Sequence, residues 1–458
     1  MSRVRDPRGC IVPGMRTDVR HRPSGMTNTS SAGSRRAEQE PDFFARNQFV
    51  FSLLLPAILL GTGRGFTLPV LPLIAKNDFG MGVAGASLTV IAPMAGGMLS
   101  TLPTGYVIDR FGRRVTLVGA PLLSSAAAFL AFSAGSYWEF LLYLIVGGMA
   151  QQMWQMSCLA TIADSVRSSR RGRQITGMSS AQRIGNTAGP FLGGILGEFM
   201  GLRVPFLVFG LLAMLAMIPS YYLIKETAPS VLARRSGTKM AETETSWKML
   251  LTSPVLTLFT AQFFANFARG GLQGNGGTYL IFLTFSYGVG PAVLGAVLLG
   301  TGLLGIPIMI FSGQIMDRFG RKRQVVPAAV VLALGIGCMS ITAALSLPLG
   351  AFIAAFVLIN IGISTMAGTM QTIGSDLAPV EARGKFFGVS RLIAEGGSMM
   401  NPVSFGVMTA IVVGAGGFAG AFAVTAVAAL VAASVVGFGL SETLRKDDPA
   451  PATTEGAS

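Results

Sequence analysis

The chain has 458 residues, 51% of them hydrophobic and only 12% charged, where a soluble domain carries about 25% charged residues. Its mean hydropathy is +0.59. The net charge of +14 sits in short connections and a tail, so these values exclude a soluble enzyme, a nucleic-acid module and a disordered chain, and imply a polytopic membrane protein.

Residues 1–46 hold nine Arg and five acidic residues with no long apolar run. They read as a disordered basic cytoplasmic tail rather than a secretory signal, with Met15 and Met26 as further candidate starts. From about Gln48, twelve apolar runs follow, centred near 61, 95, 125, 151, 187, 213, 269, 303, 335, 361, 400 and 427. Each is about 20 residues or longer, enough to cross a hydrocarbon layer of ~30 Å. One long polar segment, from Lys225 to Ser253, separates the sixth run from the seventh. The expected organisation is a six-helix bundle over 47–226, a cytoplasmic linker over 227–253, a second six-helix bundle over 254–443 and a cytoplasmic tail over 444–458.

Connections after even-numbered spans carry 18 Lys/Arg, whereas the opposite connections carry only Lys76 and Arg203. Positive loops stay in the cytoplasm, so both termini are expected there. Four arginines remain inside predicted spans: Arg64, Arg183, Arg269 and Arg391.

Span 1 places Arg64 within Gly61-Thr-Gly-Arg64-Gly-Phe. After span 2 comes Gly105-Tyr-Val-Ile-Asp109-Arg110-Phe-Gly112-Arg113-Arg114. Span 4 sets Gln151 and Gln155 one turn apart, with Trp154 beside them. Span 5 contains Arg183, then Gly185-Asn-Thr-Ala-Gly189-Pro190-Phe-Leu-Gly193-Gly194, whose glycines form a smooth face for close helix packing. On span 7, Gln262, Asn266, Arg269 and Gln273 share one face. After span 8 the chain reads Gly313-Gln-Ile-Met-Asp317-Arg318-Phe-Gly320-Arg321-Lys322. Span 10 aligns Asn360, Ser364 and Gln371, and span 11 carries Arg391 and Glu395 one turn apart.

Lipid would leave such polar stripes unsatisfied, so they line water or substrate, or else bond neighbouring helices. Burying Arg at the bilayer centre costs between ~2.5 and ~17 kcal/mol, depending on the scale. Arg64 and Arg269, 205 residues apart, would recognise a carboxylate or phosphate if both face one cavity; the alternative is that each braces its own bundle. Glu395 forms an intrahelical pair with Arg391 or, with Arg183, a charge network able to carry a proton. Cys10, Cys158 and Cys338 have no metal-type spacing, and His21, the only histidine, lies in the tail. No metal or other cofactor is therefore expected.

The Asp109 loop recurs at Asp317 with an offset of 208, and Asp164 to Gly172 recurs as Asp376 to Gly384 at 212. Offsets that drift slowly in constant order indicate duplication. The paired G-x-x-x-D-R-x-G-R-[RK] loops resemble those of the major facilitator superfamily, over about residues 47–443. That resemblance implies an all-α integral membrane fold: twelve transmembrane helices as two pseudo-symmetric six-helix bundles around a central cavity, working by alternating access. It implies a gating latch of Asp109 and Arg113 against the start of span 11, near Phe386 to Arg391, with Asp317 and Arg321 in the equivalent loop. The span-5 string is similar to the antiporter motif of the superfamily's drug–proton exchangers. Their Arg about twenty residues before Asp164 is missing, since Leu144 stands there. The Arg64/Arg269 pair is similar to that of organophosphate antiporters of the same superfamily.

The expected function is secondary active transport rather than catalysis: proton-coupled antiport, or efflux, of a small amphipathic organic molecule, including an anionic one. The alternative is uptake or exchange of an organic anion held by Arg64 and Arg269. The expected partners are substrate, protons and the lipid bilayer, without nucleic acid, and a monomer is expected. Arginine far outnumbers lysine, which suits a GC-rich bacterium and a multi-pass inner-membrane location.

Overall fold

The computed structural model describes residues 50–165, 168–223, 252–273, 277–366 and 383–440, with four positions between 370 and 377. The expected tails and nearly all of the linker lie outside these residues. Among the described residues, all regular structure is helical. The first crossing is a π-turn (Val50–Leu54), α1a (Leu55–Thr67) and α1b (Leu71–Asn77). It is followed by α2 (Val83–Phe111), α3 (Arg113–Ser133), α4 (Tyr137–Ser165), α5 (Ser168–Phe199) and α6 (Val204–Leu223). The second half has α7a (Ser253–Gln273), α7b (Gly277–Phe282) and a π-turn (Leu283–Tyr287). Then come α8 (Pro291–Phe319), α9 (Arg321–Ala344), α10 (Leu349–Met366), α11 (Arg383–Ile411) and α12 (Ala415–Gly439).

These make twelve crossings among the described residues, as the hydropathy pattern predicts. Eight are long and apolar enough to cross a membrane on composition alone. The other four are α4, α5, α7a and α11, which carry most of the glutamines, asparagines and charges of the polar stripes, Arg64 of α1a and Asn360 of α10 excepted. Hydrocarbon cannot satisfy those groups, so their helices are the ones with interior work. The first crossing bends where Pro69 can offer no amide to the helix. Leu68 N–H instead reaches back to Gly65 O (3.2 Å), and the Thr67 hydroxyl donates to Arg64 O (2.9 Å).

The duplication is visible in the packing. In the first half α1 packs on α5 and α6, and α3 on α4 and α6; in the second α7 packs on α11 and α12, and α9 on α10 and α12. The halves meet through α5 with α8 and α2 with α11, two pairs that a pseudo-twofold axis exchanges. The two D-R-x-G-R loops turn alike. Gly112 (φ 94°) and Gly320 (φ 102°) each close one helix and open the next, a backbone conformation that side chains disfavour. Their amides bond Ile108 O (3.0 Å) and Met316 O (3.1 Å).

At the end of the bundle away from those loops the halves are closed on each other. Lys76 Nζ donates to Thr284 O (3.1 Å). The amide of Ala292, opening α8, donates to the Glu198 carboxylate at the end of α5 (3.1 Å), a favourable place for an anion. The span-5 motif supplies the close approaches. A Cβ built on Gly185 falls 2.6 Å from Thr62 N, and one on Gly189 falls 2.6 Å from Thr62 O. Gly193 abuts the backbone of Phe66, while Gly194 abuts that of Pro291 in the other half. One string of glycines therefore seats α5 on α1 and on α8.

Gly189→Ala should overpack this contact, costing about 1–3 kcal/mol and lowering the apparent Tm of the purified protein by several degrees. Gly177→Ala on the same helix faces open space and should leave Tm unchanged or slightly higher. Equal Tm values for the two variants would contradict the packing role.

Candidate functional site

A cavity of about 310 Å³ lies at mid-depth, walled by α1, α2, α3, α4 and α6 of the first half and by α7a and α11 of the second. Three charged side chains line it: Arg64 from α1a, and Arg391 and Glu395 from α11. Gln151, Gln155 and Asn266 add amides. Arg391 Nη2 donates to Gln155 Oε1 (3.0 Å) and to Glu395 Oε1 (3.3 Å). The first bond joins the two halves across the cavity; the second is the i,i+4 pair expected of this spacing. The Arg391 and Glu395 side chains are 41% and 43% exposed, so their mutual attraction is screened and worth only a few tenths of a kcal/mol. Such a pair can be exchanged for a ligand at low cost. The Arg64 guanidinium has no hydrogen-bond partner among the described residues; Glu395 is the opposite charge acting on it.

The remaining candidates stand elsewhere. Trp154 is buried behind the wall, in the apolar cluster with Leu60, Leu117 and Cys158. Gln262 accepts from the Ser390 hydroxyl (2.7 Å) and joins α7a to α11, while Asn266 Nδ2 donates to Gln262 O (2.8 Å). Asn360 is buried and donates to Phe356 O (2.8 Å) on its own helix. Arg269 is buried in α7a, off the cavity wall, and the charge acting on it is Arg183 rather than an acid. Arg183 is exposed, with Nη1 2.6 Å from Met309 Sδ of α8, so it touches the other half but not the Arg391–Glu395 pair. Arg113 and Arg321 open α3 and α9 directly after the two turning glycines. The side chains of Gln273, Asp109 and Asp317, and Gln371 altogether, lie outside the described residues.

Sequence reasoning did not single out Gln152, which lines the cavity beside Gln151 and donates to Thr101 Oγ1 (3.5 Å). It also passed over Ser124, Ala127 and Ala128 of α3. A doublet of glutamines signals the first; small apolar residues carry no signal until their neighbours are known. Pro93 and Gly148 come into backbone contact where α2 crosses α4, which closes the wall on that side.

A family model described as Major Facilitator Superfamily matches residues 53–402. The quinolone resistance protein NorA of Staphylococcus aureus (strain MRSA252) is 26% identical over 277 residues, covering 60% of this chain and 67% of that protein. Multidrug resistance protein 2 of Bacillus subtilis (strain 168) is 25% identical over 281 residues, covering 60% and 69%. Among solved structures, a D-xylose-proton symporter aligns at TM-score 0.69 and 17% identity over 86% of this chain and 99% of its own. A bacterial homologue of ferroportin in an inward-facing state aligns at 0.65 and 17% identity over 85% and 97%. At such identities these structures speak for the fold alone.

The bond between the halves invites a direct test. Gln155→Ala and Arg391→Ala should be non-additive in a double-mutant cycle on thermal stability, with a coupling of about 0.5–1.5 kcal/mol. A coupling of zero would mean that the contact contributes nothing to holding the halves together.

Proposed function

Because the chain belongs to the major facilitator superfamily, and is thus a multi-pass membrane protein and a secondary transporter, we propose that it exports small amphipathic organic molecules in exchange for protons. The observation that carries this reading is Glu395: among the described residues it is the one carboxylate on the cavity wall. Antiport requires that substrate and proton exclude each other. A carboxylate achieves this if the substrate brings a cationic or hydrogen-bond-donating group to it, because a proton on Glu395 cancels the attraction. The charged neighbours are Arg391 on the same helix and Arg64 across the cavity, with Gln155 of α4 bonded to Arg391. Arg64 then takes an acceptor group of the same substrate. The positive connections, including the D-R-x-G-R loops, are assigned to the cytoplasm. The closed end described above then faces outward, with Asp109, Arg113, Asp317 and Arg321 on the inner side as gating residues. The relatives named for quinolone and multidrug resistance support the efflux direction.

A second reading rests on Arg64, whose guanidinium on the wall has no hydrogen-bond partner among the described residues. An organic anion could dock there and draw Arg391 away from Glu395, giving uptake or exchange of a carboxylate or phosphate ester. Arg269 would then support the site from behind the wall. The sign of the pH effect separates the readings. Under antiport, a bound proton competes with the substrate, so binding weakens as the proton concentration rises. For an anion, the same proton leaves Arg64 and Arg391 uncompensated and strengthens binding.

Proteoliposomes loaded with ethidium, as an amphipathic cation, should show flux driven by an imposed pH gradient. Glu395→Gln should lower that flux about tenfold or more and make ethidium binding independent of pH. Gradient-driven flux that survives in Glu395→Gln, or binding of 2-naphthoate that strengthens as pH falls while ethidium is ignored, would turn the assignment to the anion.

A further inference from the structure

The two halves share one packing plan but are not filled alike. The buried apolar residues of the second half form a single continuous cluster that also takes in Leu73, Ala75, Ala86 and Val90 of the first; it includes Leu332, Ile336 and Met339 of α9, with Tyr279 stacked on Phe422 at 5.5 Å. The rest of the first-half core is in two pieces. One gathers around Leu60, Leu117 and Trp154, the other around Ile74, Phe140 and Phe206. The cavity is lined by Leu71, Ala131, Leu144 and Phe206 of the second piece and by Phe209, which packs on the first.

The cause can be read from the repeat. Gly112 and Gly320 fix the register of α3 against α9 at an offset of 208. Leu332, Ile336 and Met339 therefore correspond to Ser124, Ala128 and Ala131. All three short residues of α3 are buried and line the cavity. Where the second half has long side chains meeting in its core, the first half has a gap, which reaches Phe206 and Phe209 of α6.

One face of α4 connects this gap to the charged end. Leu144, Gly147, Gly148, Gln151, Gln152 and Gln155 follow helical spacing along the wall, running from apolar or bare to polar. At the change stands Gln151. Its Nε2 and Oε1 are both buried, and neither has a hydrogen-bond partner among the described residues. A buried primary amide with donor and acceptor both unmet is costly in a native structure, and a ligand presenting the complementary pair relieves it.

We propose that the gap in the first-half core is a subsite for the apolar arm of the substrate, an aromatic ring or short alkyl group, and that the arm is joined to the polar end by an amide-like group pairing with Gln151. The inference rests on the transport reading above for calling the ligand a substrate. It adds the class: an amphiphile carrying an amide next to an apolar arm, its charged end toward Glu395 and Arg64. Ala128 and Gln151 are the specificity-determining residues of the subsite.

Neutral fragments test this apart from proton coupling. Binding of benzamide, methyl benzoate and acetamide to the purified full chain is followed by ligand-observed NMR and by thermal stabilisation. Benzamide carries ring and amide, methyl benzoate lacks the N–H donor, and acetamide lacks the ring. Wild type should bind benzamide about tenfold or more tightly than either analogue. Gln151→Met should bind benzamide and methyl benzoate equally. Ala128→Ile, which restores the residue of the second half, should keep or raise Tm and lose benzamide; if it fails to fold, Ala127→Leu is read the same way. Wild type that does not bind benzamide, or a folded slot-filling variant that binds it as wild type does, overturns the subsite. Benzamide carries no charge and no proton is exchanged in the assay, so failure of the proton-coupling reading appears only in the ethidium experiment and failure of the subsite only in this one.

Discussion

Hydrocarbon offers no hydrogen bond, and most of this molecule follows from that constraint. Each crossing must satisfy its own backbone, so the described chain is helical. Each polar side chain must turn inward, so the helices separate into eight that composition alone would put in a membrane and four that it would not. The four carry Gln151, Gln155, Gln262, Asn266, Arg183, Arg269, Arg391 and Glu395. They can stay in the layer only because the other helices shield them and because they bond one another or border a cavity.

Shielding demands close packing, and glycine provides it. Between two hydrocarbon-facing helices there is no hydrophobic driving force for association, so contact area and backbone approach must hold them. The stretch from Gly185 to Gly194 does this twice, against α1 within its own half and against α8 in the other. A motif that resembles the signature of exchangers thus has a plain mechanical role: it sets how tightly the halves close at the end away from the D-R-x-G-R loops. The Glu198 carboxylate on the first turn of α8 and the Lys76 ammonium on Thr284 O add polar contacts at the same end. The first is exposed and the second half-buried.

Duplication supplied the scaffold, and divergence within it supplied the site. The packing partners of each helix recur six helices later, yet the cavity belongs mainly to one half. Its charges come from both: Arg64 from the first, Arg391 and Glu395 from the second, with Arg391 bonded to Gln155 of the first half. On the proposed function, a ligand between them would be held by both bundles at once. Binding can therefore bias their relative arrangement, which is what a transporter needs from its site.

The amino-acid sequence by itself determined the fold class, the crossings, the duplication and which helices carry polar faces. Those properties are local: run length, helical period and charge asymmetry are read along one dimension, and the bilayer imposes the rest. The turning glycines and the Arg391–Glu395 pair belong to the same group, since their spacing alone brings the atoms together. Tertiary structure alone decided which polar residues reach the cavity. Arg64 and Gln151 do, whereas Arg269, Trp154 and Asn360 stand behind the wall or within the helix packing, although all five lie in predicted spans. It also decided where the empty space is. A void depends on the volumes of side chains from helices far apart in sequence, and Ser124, Ala128 and Ala131 became informative only when set against Leu332, Ile336 and Met339 in a packed core.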